Sequence, residues 1–471
     1  MIEGLKPYAE YKEVGLPWLP SLPSHWVIKR GKSYLFCIDE RSKAGKEELL
    51  TVSSARGVVP RSSAKVTMFK AESYAGHKLC WPGDLVINSL WAWGGGLGVS
   101  QHHGIISTAY SVYRSRPSAQ INPRYLHVLV RSSAFHWELQ VRSKGVWISR
   151  LQLTDTSFLD APIPLPPPAE QLAIIRFLDH ANRKIDGFIR AKRKLIGLLN
   201  EQKQAIIHRA VTRGLDPNAK LKPSGIPWLG EIPERWEVQP LKGVSKIQSG
   251  ITLGKDYAGE MLREYPYLRV ANVQAGHADI SVVKKIAVTR PEAVRCLLQA
   301  GDVLMTEGGD PDKLGRGCVW DAQIDPCIHQ NHVFAVRPNQ SLLLPHFLSA
   351  LMGTVYARAY FQSTSKQTTN LASTNKTKIG QFKVLLPPTD EQAMILDALH
   401  RETSPVNTAI ARTEREIALM QEYRTRLTAD IVTGKLDVRE AAAKLPEEVD
   451  EEPLADEAAG ETETETEEFT E

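Results

Sequence analysis

At 471 residues, with 42% hydrophobic and 24% charged positions, the chain is long enough for two or three globular domains. No apolar run reaches the roughly 18 residues of a membrane span, and Met1–Gly15 lacks the charged-then-apolar pattern of a signal peptide. Five scattered cysteines (Cys37, Cys80, Cys296, Cys318, Cys327), without a CxxC pair or paired histidines, argue against zinc and fit a cytoplasmic location.

The formal charge of +4 hides an asymmetry. Residues 446–471 hold thirteen acidic side chains and no Lys or Arg, which leaves the body 58 basic against 41 acidic residues, a balance of +17. Such a body is expected to attract a polyanion, while the Glu/Thr-rich end is expected to be solvated.

Taken in order, the chain is written twice. Gly15-Leu16-Pro17-Trp18-Leu19 through Pro23-Ser24-His25-Trp26 returns as Gly225-Ile226-Pro227-Trp228-Leu229 through Pro233-Glu234-Arg235-Trp236, an extended segment that tucks its indoles against a domain edge. Residues 27–165 follow with short β-rich runs at Leu49–Val52, Leu85–Leu90 and Ser111–Tyr113, separated by Gly and Ser turns. Pro166-Pro167-Pro168-Ala169-Glu170-Gln171 then opens a helical stretch to residue 216, with an apolar stripe at Ile174, Leu178, Ala181, Ile185, Phe188, Leu195, Leu199 and Ile206. A looser joint is expected near His180–Arg183. A Pro/Lys linker, Asp216–Ser224, leads to a second variable segment ending near 386.

Pro387-Pro388-Thr389-Asp390-Glu391-Gln392 opens the second helical stretch, to about 438, with its stripe at Val406, Ile410, Ile417, Met420, Leu427 and Ile431. Both stripes are narrow and flanked by charge, as a two-helix seam requires. Ser404-Pro405 predicts a break, because Pro lacks the N–H and suits a first helical turn; a short helix near 390–402 and a long one near 405–433, capped by Ser404, are expected. Residues 439–471 are expected to be a disordered acidic tail. The two variable segments share a skeleton. Gly83-Asp84-Leu85-Val86 matches Gly301-Asp302-Val303-Leu304, Gly-rich turns follow at Gly94–Gly98 and Gly308–Gly317, and Ile106–Tyr110 corresponds to Ile328–His332.

No catalytic constellation emerges. Asn122-Pro123-Arg124-Tyr125 resembles an amino-methyltransferase loop but carries Arg for its second Pro and has no cofactor loop before it. Gly250–Asp256 has three residues rather than four between the glycines of a phosphate loop, with Asp256 where a Mg²⁺-binding hydroxyl belongs. Pro311-Asp312-Lys313 lacks nuclease spacing. The chain is expected to bind and position rather than catalyse.

The doubled order of Trp-Leu-x-x-x-Pro-x-x-Trp, variable segment, Pro-Pro-x-x-Glu-Gln and long helix, over about residues 7–438, resembles the specificity subunit of type I restriction-modification systems. The resemblance implies two α/β (α+β) target-recognition domains, within 1–165 and 217–386, and two long antiparallel coiled-coil helices at 166–216 and 387–438, in a pseudo-two-fold internal repeat. It implies double-stranded DNA as ligand and, as partners, two modification subunits using S-adenosylmethionine and two restriction subunits using ATP and Mg; no cofactor, metal or membrane is assigned to the chain. Asn331-His332 departs from Ala109-Tyr110, and the acidic tail is outside the pattern. A ~29-residue helix would be ~43 Å long, near the ~34–36 Å of one DNA turn.

Arg, Lys, Gln and Asn in loops offer base or phosphate contacts, and aromatics can pack on DNA. The candidates are Arg56, Arg61, Trp91, Trp93, Gln101, His102, Lys144 and Arg150 in the first domain. In the second they are Lys255, Arg269, Asn272, Arg316, Gln330, Lys366, Gln367 and Asn370. Docking and spacing are expected from Glu170, Gln171, Ile185, Phe188, Leu195, Leu199, Glu391, Gln392, Ile410, Ile417, Met420 and Leu427. Two other classes stay open: a fused or stand-alone modification enzyme, and a coiled-coil scaffold that binds only proteins.

Overall fold

The computed structural model describes residues 5–64, 73–145, 151–252, 254, 257–309, 315, 317–367 and 372–446. Two compact units emerge, one from Met1–Arg190 with Ile417–Glu471 and the other from Ala191–Glu416. No helix among the described residues is long and apolar enough to cross a membrane.

Two helices, Pro168–Arg213 and Thr389–Val432, each contribute to both units. Pro168 suits a first turn because its missing N–H would have had no partner there, and acidic residues sit in both first turns, where the helix dipole favours them. Gly214 and Gly434, at φ +75° and +73°, end the helices in the left-handed conformation that a side chain would strain. Neither helix is interrupted. The joints expected at His180–Arg183 and Ser404-Pro405 are absent, and Ser404 caps nothing: Pro405 lies inside the second helix. The neighbouring packed positions Val406 and Thr413 are buried, so tertiary contact outweighs the lost main-chain bond. At 46 and 44 residues the helices are ~69 and ~66 Å long, well beyond the ~43 Å expected.

Inside the Ala191–Glu416 unit the two helical stretches run antiparallel, with Lys192 to Glu416 at 2.7 Å and Arg209 to Glu402 at 3.7 Å. In the other unit Arg424 donates to Asp186. Ile185 and Leu427 are buried, Leu199, Ile410, Ile417 and Met420 are half-buried, and Phe188 and Leu195 are exposed.

The first unit carries a four-stranded antiparallel sheet ordered Leu35–Ile38, Tyr110–Ser115, Leu85–Asn88, Leu97–Val99. The second carries Ser245–Ser249, Val333–Pro338, Val303–Thr306, Gly317–Val319, also antiparallel. A helical pair follows each sheet: Pro123–Val130 with Ser133–Arg142, and Pro345–Met352 with Val355–Thr364. Ser132 and Thr354 cap the second helix of each pair, accepting from the Phe135 and Ala357 amides at 3.2 and 3.3 Å. Among the described residues, the second unit adds the long hairpin Leu262–Leu268/Lys284–Thr289 and the helix Arg290–Arg295, where its sequence is longer. The cores are aromatic, around Trp26, Tyr125, Phe135 and Phe158 in one and Trp236, Phe347, Phe361 and Phe382 in the other.

Past Val432 the chain stays in the first unit. Asp437 bridges Lys6, and Arg439–Ala443, within the segment expected to be disordered, forms a short helix with Ala442 buried. Arg176 donates to the Leu445 and Pro446 carbonyls at 2.7 and 3.0 Å. The acidic residues from 447 onward lie outside the described residues.

Candidate nucleic-acid interface

The repeated motifs build the frame. Gln171 is fully buried; its amide donates to the Gln120 and Pro166 carbonyls at 3.1 and 2.9 Å, and its oxygen accepts from the Asn122 amide at 2.7 Å. Gln392 does the same in the second unit, donating to Leu342 and Pro387 at 2.8 and 2.9 Å and accepting from Leu344 at 2.8 Å. Glu170 accepts from Trp26 Nε1 at 2.9 Å and from Tyr8, with His25 at 2.8 Å; Glu391 accepts from Trp236 Nε1 at 3.0 Å. Glu170, Gln171 and Gln392 are therefore internal fasteners and present no docking surface, a correction with a plain cause: buried polar groups must find partners, and these found them inside.

The Gly-Asp strands have an equally internal purpose. Asp84 is held by Arg114 through two contacts of 2.9 Å, and Asp302 by Arg337 through two of 2.7 Å. Both carboxylates are buried and each also accepts a main-chain amide, from Trp81 and Gln299. Gly83 and Gly301, at φ +94° and +88°, make the turns into these strands.

At the far end of each Gly-Asp strand, loops converge. In the first unit Trp91 is 38% exposed and lies 4.7 Å, centroid to centroid, from the half-buried Trp93. The glycine run exists for this indole: a Cβ on Gly94 would come within 2.7 Å of the Trp91 ring. The turn Ser54–Arg56 meets the same loop through Arg131, whose guanidinium donates to the carbonyls of Ser54, Ala55 and Leu97 at 2.6, 2.8 and 2.6 Å. Arg56 donates to the Ser63 carbonyl at 2.9 Å, which places it beside the Arg61–Ser63 turn. Exposed Lys144 pairs with Gln152, and Leu153 bonds the Ser89 carbonyl at 2.9 Å.

The second unit repeats the arrangement with other residues. Arg269 starts the turn Val270–Asn272, and Gly276 bonds the Gly317 carbonyl at 3.0 Å. Lys366–Gln367 pairs with Ala372–Ser373, and Thr374 bonds the Glu307 carbonyl at 2.8 Å, as Leu153 bonds Ser89. Half-buried Gln330 donates its main-chain N–H to the Leu268 carbonyl at 2.9 Å, and exposed His332 meets Glu307 at 2.5 Å.

Three sequence candidates sit elsewhere. Gln101 and His102 follow Val99, at the Leu85 end of the strand pair and away from Trp91, because the register runs Leu85 to Val99 and Ile87 to Leu97. Asn272 is 4% exposed and its amide is spent on the Asp279 and Val282 carbonyls at 2.8 and 3.0 Å; it shapes its loop and reads nothing. Arg150, Lys255, Arg316 and Asn370, and the Gln367 side chain, lie outside the described residues. Arg131, Arg114 and Arg337 were missed by sequence reasoning. Each is a lone Arg remote in sequence from what it holds, and no local spacing marks it.

The comparisons agree with this architecture. Residues 233–418 match the family model described as type I restriction modification DNA specificity domain. The EcoKI specificity subunit of Escherichia coli (strain K12) is 24% identical over 372 residues, 72% of this chain and 74% of that protein. The StySPI specificity subunit of Salmonella potsdam is 24% identical over 354 residues, 71% and 72% of the two chains. The putative MjaX specificity subunit of Methanocaldococcus jannaschii is 25% identical over 209 residues, so the match spans about half of that relative (47%) and 44% of this chain. A chain from a solved structure concerned with complex assembly and conformational transition of the type I R-M system superposes with a TM-score of 0.56 at 18% identity, over 88% of this chain and 99% of that one, a likeness of fold. With the doubled Trp, Glu and Gln junctions and these matches together, the chain is similar in sequence and fold to type I restriction-modification specificity subunits.

Proposed function

We propose that the chain is the non-catalytic, sequence-reading subunit of a type I restriction-modification complex, each unit reading one half of a split site in double-stranded DNA. The observation that carries this reading is one frame used twice: the same sheet order and the same Gln, Trp–Glu and Asp–Arg fasteners support loops that differ in sequence and length. Loops on a rigid frame are where specificity varies without cost to the fold. Arg56, Arg61, Trp91, Trp93 and Lys144 serve one half, and Arg269, Gln330 and Lys366 the other, joined by Arg150, Lys255, Arg316, Gln367 and Asn370 on the strength of their sequence positions alone. Base edges call for such forks and amides, and phosphates for the cations.

The long helices, each shared between the two units, set the gap between the half-sites. Exposed Phe188 and Leu195 offer apolar contact to the two modification subunits, which would carry S-adenosylmethionine, and two restriction subunits with ATP and Mg complete the assembly. Exchange of residues 237–386 for the same segment of another family member tests the reading. Sequencing of methylated DNA should show one half of the target changed and the other retained; a change in both halves would overturn it.

A further inference from the structure

Arg131 occupies a position that the two units fill differently. It follows the helix Pro123–Val130, directly before the capping Ser132; the matching position in the second unit, between Pro345–Met352 and the capping Thr354, is Gly353. The half-buried Arg131 guanidinium reaches carbonyls on two separate loops. One nitrogen donates to Leu97 at 2.6 Å, with Ser53 and Gly95 at 3.4 and 3.5 Å, and the other to Ser54 and Ala55 at 2.6 and 2.8 Å. A planar fork with five donors can do this, and an ammonium on a flexible stem cannot hold both loops in one geometry. In the second unit a main-chain bond, Gly276 to the Gly317 carbonyl at 3.0 Å, joins the corresponding loops.

We propose that Arg131 is a positioning residue for DNA readout by the first unit, fixing the Arg56 turn relative to the Trp91–Trp93 loop without touching DNA itself. The proposal rests on the function proposed above. It predicts an asymmetry: a side chain that can be changed governs one half of the target, while among the described residues a main-chain bond joins the corresponding loops of the other half. The spacing it sets matters because a base contact displaced by about an ångström loses its hydrogen-bond geometry.

The test compares the wild-type full chain and Arg131→Lys, each assembled with its modification subunits, in selection from a random duplex pool. Amide hydrogen exchange of the same chains is followed alongside. Arg131→Lys is expected to lose about tenfold or more of its base preference in one half only, with the other half as in wild type, and to speed exchange about tenfold in both 53–57 and 90–98 while 303–306 and 333–338 stay unchanged. Unchanged preference in both halves overturns the proposal. Equal loss in both halves, with exchange raised throughout the first unit, also overturns it, because Arg131 would then carry stability alone. If the wild type selects no split motif, the proposed function falls; exchange then decides the coupling separately, since loops that do not loosen together leave Arg131 without a positioning role.

Discussion

His127 shows how a single side chain is tuned by its surroundings. Burial, then the neighbouring Arg131 charge, push its imidazole down to about 4, and its Nδ1 accepts from the Val99 amide at 3.2 Å. The folded protein thus holds it neutral, whereas the unfolded chain binds a proton near the ordinary value of about 6.5. The stability this contributes is complete above about pH 6.5 and is lost as pH falls towards 4, up to about 3 kcal/mol. Denaturant midpoints followed from pH 7 to 4 should fall in wild type, and His127→Gln, whose amide oxygen can still accept from Val99, should flatten that slope. The same packing explains Gly57, at φ +77°, whose absent Cβ would meet the His127 ring at 2.9 Å. The Gly57 relation is not visible in sequence, because 70 residues separate the two partners.

At the scale of elements, the helices are the plainest success and the plainest error of sequence reasoning. Their starts, ends and apolar stripes were legible in Pro168, Glu170, Gly214, Thr389 and Gly434, since caps and periodicity are local. The break at Pro405 was not real, because a local propensity was weighed without the seam that overrides it. Pro405 still leaves the Arg401 carbonyl without its helical donor, and its ring is exposed. Pro405→Ala is therefore expected to raise stability by ~1–3 kcal/mol and to slow amide exchange across 402–409. Chemical denaturation and exchange together check this; an unchanged midpoint would mean that the lost bond was already compensated.

For the whole molecule, the proposed function makes the basic body the expected driver of association. With a balance of +17 outside the acidic end, affinity of the assembled complex for DNA should fall steeply with salt, with a slope of ~0.9 per phosphate contacted. Binding isotherms across a salt series measure it, and a flat response would count against the basic surfaces as the DNA-facing ones.

What the sequence determined by itself was the doubled order and the positions of the long helices, with a polyanion as the expected partner. These follow from repeats, periodicity and charge, which are properties of neighbours along a chain. It also singled out Glu170, Gln171 and Gln392, but assigned them to a docking surface. Only the tertiary structure turned them inward, since a buried amide or carboxylate is stable where distant segments supply its partners, as Gln120, Asn122 and Trp26 do. The candidate interface divides the same way. Trp91, Lys144 and Lys366 could be proposed from loop composition, but the strand register removed Gln101 and His102, and hydrogen bonding claimed Asn272. Arg131 became visible only once folding had brought residues 53–55 and 95–97 within reach of one guanidinium. Contacts between segments remote in sequence depend on three-dimensional closure, and no pattern of adjacent residues encodes which carbonyls an arginine will find.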